Sequence, residues 1–220
     1  FVRPCHKMYN GHQANVTFSV DTSSMNIVDK FTGVWNTSNG YVSHSFNQFI
    51  QVDNGTLLGV DHGEGYPTAL VLYKYVSDIS SGNFQSGIAT PCKSLTFMSL
   101  VNDTSIHYNY TGASLGAFEY SDSAYLIAGT KDTDSTATTR DVFITSMDKS
   151  SGETFTHFYS NYAGTDDSAL TPHLVKTGNN SFILLWSNQG YVYYTAVDGT
   201  GQQVGTTHKM AGNLSDCAPI

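Results

Sequence analysis

The sequence predicts an all-β fold, a β-propeller of four-stranded antiparallel blades, with about three complete blades and one split or partial blade. Two observations carry that reading. The first is a turn phrase of Asp, three small or polar residues and usually Gly, set after a short apolar run. It occurs as Val20-Asp21-Thr22-Ser23-Ser24-Met25, Ser77-Asp78-Ile79-Ser80-Ser81-Gly82 and Met147-Asp148-Lys149-Ser150-Ser151-Gly152, and shortened as Val197-Asp198-Gly199-Thr200-Gly201. Asp and Ser bond their own backbone in turns and Gly takes positive φ, so each phrase predicts a hairpin corner. Strands are predicted to enter them over 16–20, 70–76, 142–147 and 191–197. Turn phrases in fixed order, roughly 50–70 residues apart, indicate repeated sheet units.

The second observation is a longer repeat. Gln48 to Gly63 lies over His173 to Asn188 without a gap. Phe49-Ile50-Gln51-Val52 falls on Leu174-Val175-Lys176-Thr177, and Leu57-Leu58-Gly59-Val60 falls on Phe182-Ile183-Leu184-Leu185. Between them, Asp53-Asn54-Gly55-Thr56 matches Gly178-Asn179-Asn180-Ser181. Asn-Gly between apolar runs is a strong hairpin signal. A looser third copy runs from Phe118-Glu119-Tyr120 through Ser121-Asp122-Ser123 to Tyr125-Leu126-Ile127-Ala128.

Each unit then reads as strand, tight turn, strand, variable loop, strand, Asp turn, strand, which is one propeller blade. The chain 1–220 is expected to form a single propeller. Whole units are expected over about 41–100, 112–165 and 170–208. Residues 1–40 form a partial unit, with a third and a fourth strand within 1–30, and 209–220 start a blade or supply a closing strand. The ends either complete one blade of a four-bladed ring or belong to an excerpt of a larger propeller; the excerpt is the favoured expectation, since four blades is the low end of the range. A plain β-sandwich is the simpler rival.

Composition agrees with an all-β secreted domain. Charged residues make up 13% of the chain, whereas Ser, Thr, Asn, Gly and Tyr abound. No long amphipathic helical pattern and no apolar run of bilayer-spanning length is present. A net charge of −8 with ten Lys plus Arg argues against nucleic acid and anionic membrane surfaces as partners. Phe1 is not a natural start, so an upstream segment is expected to have been removed.

Seven Asn-x-Ser/Thr sequons occur, at Asn15, Asn36, Asn54, Asn102, Asn109, Asn179 and Asn213. That is about twice the chance yield for a chain this rich in Ser and Thr. Asn54 and Asn179 fall on the same hairpin tip of two aligned units, where a glycan has room. Three cysteines, Cys5, Cys92 and Cys217, lie too far apart for a zinc motif. One disulfide is expected, with its partners open and one thiol left over.

Candidate chemistry is sparse. His44, Asp61, His62 and Glu64 flank the first hairpin of the first whole unit and could converge as metal ligands or an acid–base group; loop-tying hydrogen bonds are the plainer expectation. Asp132-Thr133-Asp134-Ser135 and Asp166-Asp167-Ser168 have the oxygen donors that suit calcium, without EF-hand spacing. Nucleophile-elbow, zinc-protease, phosphate-loop and dinucleotide motifs are missing from the sequence. Among the aromatics, Trp186 is expected in the core between blades, and Trp35 sits in a turn-rich stretch.

The blocks Ser43-His44-Ser45-Phe46-Asn47-Gln48-Phe49, Val60-Asp61-His62-Gly63 through Pro67, and Leu214-Ser215-Asp216-Cys217-Ala218-Pro219-Ile220 resemble phrases of large secreted or surface-anchored repeat proteins. That resemblance implies β-propeller repeats and an extracellular location. It implies no catalytic residue and no particular ligand. The expectation from the sequence is therefore a non-enzymatic extracellular module with a structural or adhesive role. Its partners would be protein subunits, surface glycans or copies of itself, with no cofactor and calcium as a weak possibility. The rivals are a lectin and a propeller glycoside hydrolase, the latter needing a carboxyl pair with one raised pKa.

Overall fold

The structure is a computed structural model that describes residues 2–9, 12–32, 45–54, 56–63, 69–75, 93–99, 113–132 and 139–215. The described residues form fifteen β-strands and no helix. No helix among them is long and apolar enough to cross a membrane. The chain divides into two compact units, Phe1–Thr111 and Gly112–Ile220.

The first unit holds two antiparallel sheets. Strands β1 (Val2–Tyr9), β2 (His12–Val20) and β3 (Ile27–Thr32) form a three-stranded sheet in that order. Strands β4 (Ser45–Asp53), β5 (Thr56–Gly63), β6 (Ala69–Tyr75) and β7 (Lys93–Ser99) form a four-stranded one. Strand β4 runs beside β1 and β2. The N-terminal sheet has three strands where two were expected. Its extra strand β1 mixes Arg3, Pro4, His6 and Lys7 with apolar residues and has no clean alternation. It is held by its register with β2, from Val2↔Ser19 to Tyr9↔His12. Pro4 lacks an N–H, and an edge strand tolerates that loss.

The second unit also pairs two sheets. Strands β8 (Ala113–Tyr120), β9 (Ala124–Asp132), β10 (Arg140–Asp148) and β11 (Thr154–Phe158) form one. Strands β12 (Leu170–Gly178), β13 (Ser181–Asn188), β14 (Tyr191–Asp198) and β15 (Gln203–Ala211) form the other. Strand β12 runs beside β8 and β9. Leu126, Ala128, Val142 and Ile144 of one sheet share a core with Leu174, Phe182, Leu184, Trp186 and Val197 of the other. Trp186 is 1% exposed, stacks on Tyr193 at 5.5 Å and 14°, and donates its Nε1–H to the Tyr162 hydroxyl at 3.3 Å.

The repeat extends to an irregularity that the sequence does not announce. The first strand of each four-stranded sheet carries one extra residue against the second, between Phe46 and Phe49, Leu115 and Ala117, and Leu170 and His173. Such bulges bend a strand and sharpen its twist.

The hairpin corners follow the Asp chemistry closely. Asp148 Oδ1 accepts from the Ser150 and Ser151 backbone N–H groups at 2.9 and 2.7 Å and from both hydroxyls. Asp21 and Asp198 hold their turns in the same way. Gly152 closes the Asp148 turn at φ 76, and Met25 takes the matching place after Asp21 at φ 58. The corner over 77–82 lies outside the described residues. In the last sheet the loop between second and third strands shrinks to Gln189-Gly190, with φ of 47 and 77. Positive φ at both central residues matches the twist of a two-residue hairpin.

Candidate functional site

Antiparallel order puts the first and third hairpin turns of each sheet at one end, and in the second unit the turns of the two sheets meet there. Asn180 Nδ2 donates to Asp122 Oδ2 at 2.8 Å, while the Asp122 backbone N–H donates to Asn180 Oδ1 at 3.1 Å. Ser121 Oγ donates to the Gly199 carbonyl at 2.7 Å and Lys176 Nζ to the Tyr120 carbonyl at 2.7 Å. The Tyr159 hydroxyl donates to the Gly201 carbonyl. Lys176 Nζ also sits 4.0 Å from the Tyr120 ring centre, and Lys149 Nζ 5.0 Å from it, both within cation–π range. These polar turn residues fasten one sheet to the next.

The opposite end ties strands to the segments that follow them. Asp141, 3% exposed, accepts from Ser160 Oγ and from the Tyr162 backbone N–H, each at 2.7 Å. Ser160 Oγ in turn accepts from the Val142 N–H at 3.0 Å. A buried carboxylate needs such donors, and here they come from the crossover that leads from β11 to β12. His173, 6% exposed, places Nε2 2.9 Å from the Ser215 carbonyl.

The electrostatics follow from these contacts. Hydroxyl and backbone donors from Ser150 and Ser151 bring Asp148 down to about 2, and Ser23 and Ser24 do the same for Asp21. At Asp198 partial burial pushes upward but is outweighed by the Gln202 N–H and the Thr200 hydroxyl and N–H. Burial raises Glu119 against the opposing charge of Lys176. Burial raises the Tyr159 hydroxyl, and the Asp198 charge adds to it. The three turn aspartates are thus fixed acceptors at neutral pH, unsuited to giving up a proton.

One expected outcome concerns Asp148. Its pKa is depressed in the folded state, so its contribution is complete above the unfolded carboxylate value and is lost as pH falls through about 2. A carboxyl-detected NMR titration should place its midpoint near that value. Ser150→Ala, which removes a 2.6 Å hydroxyl donor, should move the midpoint toward the ordinary 3.8; an unmoved midpoint would contradict the assignment.

The sequence-predicted candidates distribute as follows. Asn54 and Asn179 are both exposed, each in the two-residue turn between the first and second strands of its sheet, bracketed by Asp53↔Thr56 and Gly178↔Ser181. Asn213 is exposed beyond β15. Asn15 lies within β2, opposite His6. Asn36, Asn102 and Asn109 lie outside the described residues, as do Cys92, Cys217, His44, Glu64 and Trp35. Cys5 lies in β1 opposite Val16. Asp61 and His62 occupy consecutive positions of β5, opposite Val71 and Leu70.

Among the described residues no three His, Cys, Asp or Glu side chains are grouped to hold a metal. Of the calcium candidates, Asp167 accepts from the Gln189 side chain, and Ser168 Oγ accepts from the Arg140 N–H. Of the other, Thr133, Asp134 and Ser135 lie outside the described residues. The inter-sheet pairs Asp122–Asn180 and Ser121–Gly199 and the strand-to-crossover pair Asp141–Ser160 went unnoticed in the sequence, where each residue alone resembles ordinary turn composition.

What this arrangement offers is a clamp between the two sheets of the second unit at the end of their first and third turns, with Asn180 inside it and the exposed Asn179 beside it. Comparison with known proteins finds no family model that matches this chain and no curated protein with significant similarity to it.

Proposed function

We propose that this chain is a non-enzymatic module of an extracellular glycoprotein, a β-propeller whose blades hold loops and N-linked glycans outward in a structural or adhesive role. The observation that carries the proposal is the matched exposure of Asn54 and Asn179 at equivalent first-hairpin tips. Each stands in a sequon and each is itself exposed, which gives an oligosaccharide room. In the Asn179 turn the neighbouring Asn180 carries the inter-sheet bonds, which leaves Asn179 to be modified without loosening the clamp.

The blade reading is supported by the way successive sheets meet. Strand β12 lies beside β8, first strand to first strand, while the fourth strands β11 and β15 are the exposed ones. Inner first strands and outer fourth strands are the arrangement of propeller blades. The Asp21 corner matches those after Asp148 and Asp198, so β1 to β3 correspond to the second, third and fourth strands of a blade. A non-enzymatic role is supported by the use of the buried Asp141 and the turn aspartates as structural acceptors.

Mass spectrometry of protein from its native source tests this reading, with thiols alkylated first and N-glycans then removed enzymatically. The expected result is a large mass drop, with Asn converted to Asp at positions 54 and 179. Protein with both asparagines unmodified and all three cysteines alkylated would overturn the extracellular glycoprotein reading.

A further inference from the structure

The face that the last sheet turns toward the β8–β11 sheet becomes aromatic and exposed at the end away from the Asp198 turn. Strand alternation puts Tyr191 and Tyr193 on the same face as Phe182, Leu184, Trp186 and Val197, which share the core with β9 and β10. Two rungs cross the strands at this end. Trp186, Tyr193 and Lys209 make one, and Asn188, Tyr191 and Ala211 make the next. Tyr193 stacks on Trp186, while Lys209 Nζ sits 4.7 Å from the Tyr191 ring centre and 5.9 Å from that of Tyr193. Burial fades along them: Trp186 is 1% exposed, Tyr193 half-buried and Tyr191 42% exposed, with Lys209 and Ala211 exposed beside it. The opposing wall of this mouth belongs to the same unit. Tyr162, on the crossover from β11 to β12, accepts the Trp186 N–H, and Gln189, next to the Tyr191 rung, donates to Asp167 of that crossover.

The repeat shows that the fold does not require this mouth. Counted back from Asp148 and Asp198, Tyr191 and Tyr193 stand where Asp141 and Phe143 stand in the preceding sheet. There both positions are closed. Phe143 is fully buried and meets the ring of Phe158, which the register makes the counterpart of Lys209. Asp141 is 3% exposed and is occupied by the Ser160 hydroxyl and the Tyr162 N–H. In the last sheet an ammonium replaces the second ring, and an exposed tyrosine replaces the bonded carboxylate. Ala211, opposite Tyr191, is too small to cover it.

We propose that this mouth is a saccharide-binding site, in which a neutral pyranose stacks on Tyr191 and accepts hydrogen bonds at its hydroxyls from Lys209. The inference deepens the adhesive-module reading, on which it rests, by naming the class of surface ligand and the residues that hold it.

The chemistry of the mouth selects that ligand. A pyranose presents one face of C–H groups and a rim of hydroxyls. Tyr191 supplies a flat apolar surface with a polar tip. Lys209 supplies N–H donors on a flexible stem, which lets the ammonium leave the rings for a ligand hydroxyl. Aromatic surface with a few placed polar groups is the make-up of small-ligand sites. A single ammonium on a chain of net charge −8 does not suit a polyanion. The ammonium beside the ring equally does not suit a ligand that is apolar throughout, because its charge would lose water without gaining an acceptor.

Amide NMR of the full chain, titrated with the methyl glycosides of galactose, glucose, mannose and N-acetylglucosamine, is the test. The expected result is a saturable shift of the Gly190, Tyr191 and Met210 amides at millimolar sugar with at least one of the four. Tyr191→Ala should weaken that binding at least tenfold, the effect of truncating an anchoring ring, whereas Tyr191→Phe keeps the stacking face and most of the affinity. The ring is already 42% exposed, so the alanine variant should unfold at the same urea concentration as the parent; Lys209→Ala reads the same site if it does not fold. No shift with any of the four sugars, or binding equally tight in the folded variants, would overturn the proposal. Glycan occupancy at positions 54 and 179 is measured separately, so this inference and the glycoprotein reading can fail independently.

Discussion

Replacing Trp186 with Ala should lower the unfolding free energy by about 3–5 kcal/mol, the range for a large aromatic removed from a packed core. The indole is 1% exposed and belongs to the core shared by the two sheets of the second unit. Its removal leaves a cavity between rigid strands, where neighbours relax only in part. It also removes the ring stacked on Tyr193 and the N–H that the Tyr162 hydroxyl accepts. Tyr162 lies on the crossover from β11 to β12, and its backbone N–H is tied to Asp141, so the loss reaches the connection between sheets. Trp186→Phe keeps much of the ring and loses the donor, and should cost less than the alanine variant. Urea unfolding of the full chain reads both. A cost below about 1 kcal/mol for Trp186→Ala would mean that this core does not hold the two sheets together.

Gly116→Ala should be nearly as severe, about 3 kcal/mol or more, although it adds a single methyl group. Gly116 is the extra residue of the β8 bulge, left out of the pairing between Leu115↔Gly129 and Ala117↔Ala128. A Cβ there would stand 2.0 Å from the Pro172 carbonyl oxygen, 2.5 Å from its Cγ and 2.8 Å from its carbonyl carbon. Overpacking a core costs about 1–3 kcal/mol where side chains can shift. Here the nearest atom belongs to the backbone of β12 and has no rotamer to change, so the strands must separate. Pro172→Ala removes the ring but not the carbonyl and should fail to rescue Gly116→Ala. Rescue by that second substitution, measured in the same urea series, would show that the ring was the obstacle and overturn the backbone argument.

Legibility in the sequence divides along a physical line. The corners at Asp21, Asp148 and Asp198 were readable because their bonds stay within a few residues. Asp148 meets Ser150 and Ser151, two and three positions on, and no other part of the chain is needed. The match of 48–63 with 173–188 likewise found two equivalent hairpins, because an apolar run flanks each turn, but it is not gapless in the fold: an extra residue between Lys176 and Gly178 sets Phe49 level with His173 and Val52 level with Lys176, one position off the sequence match. Strand β1 was missed for the opposite reason. Its own pattern is poor, and β2 imposes its pairing, although Asn10-Gly11 between Tyr9 and His12 is itself a hairpin signal.

The candidate site was less legible. Asn54 and Asn179 were identified as equivalent tips from the repeat alone, and both are exposed turn residues. The sequon singled out Asn179, but nothing in the sequence showed that its neighbour Asn180 is committed to Asp122, 58 positions away.

By itself, then, the sequence determined the all-β class, the antiparallel hairpins and their corners. Each depends on side-chain periodicity or on hydrogen bonds that close within one turn. Only the tertiary structure decided which polar groups lock sheets together and why Gly116 has to be glycine. Those depend on atoms brought together from distant positions, such as Ser121 and Gly199, 78 residues apart. A contact of that kind leaves no spacing in the chain to read, because packing rather than local backbone geometry brings its two halves into range.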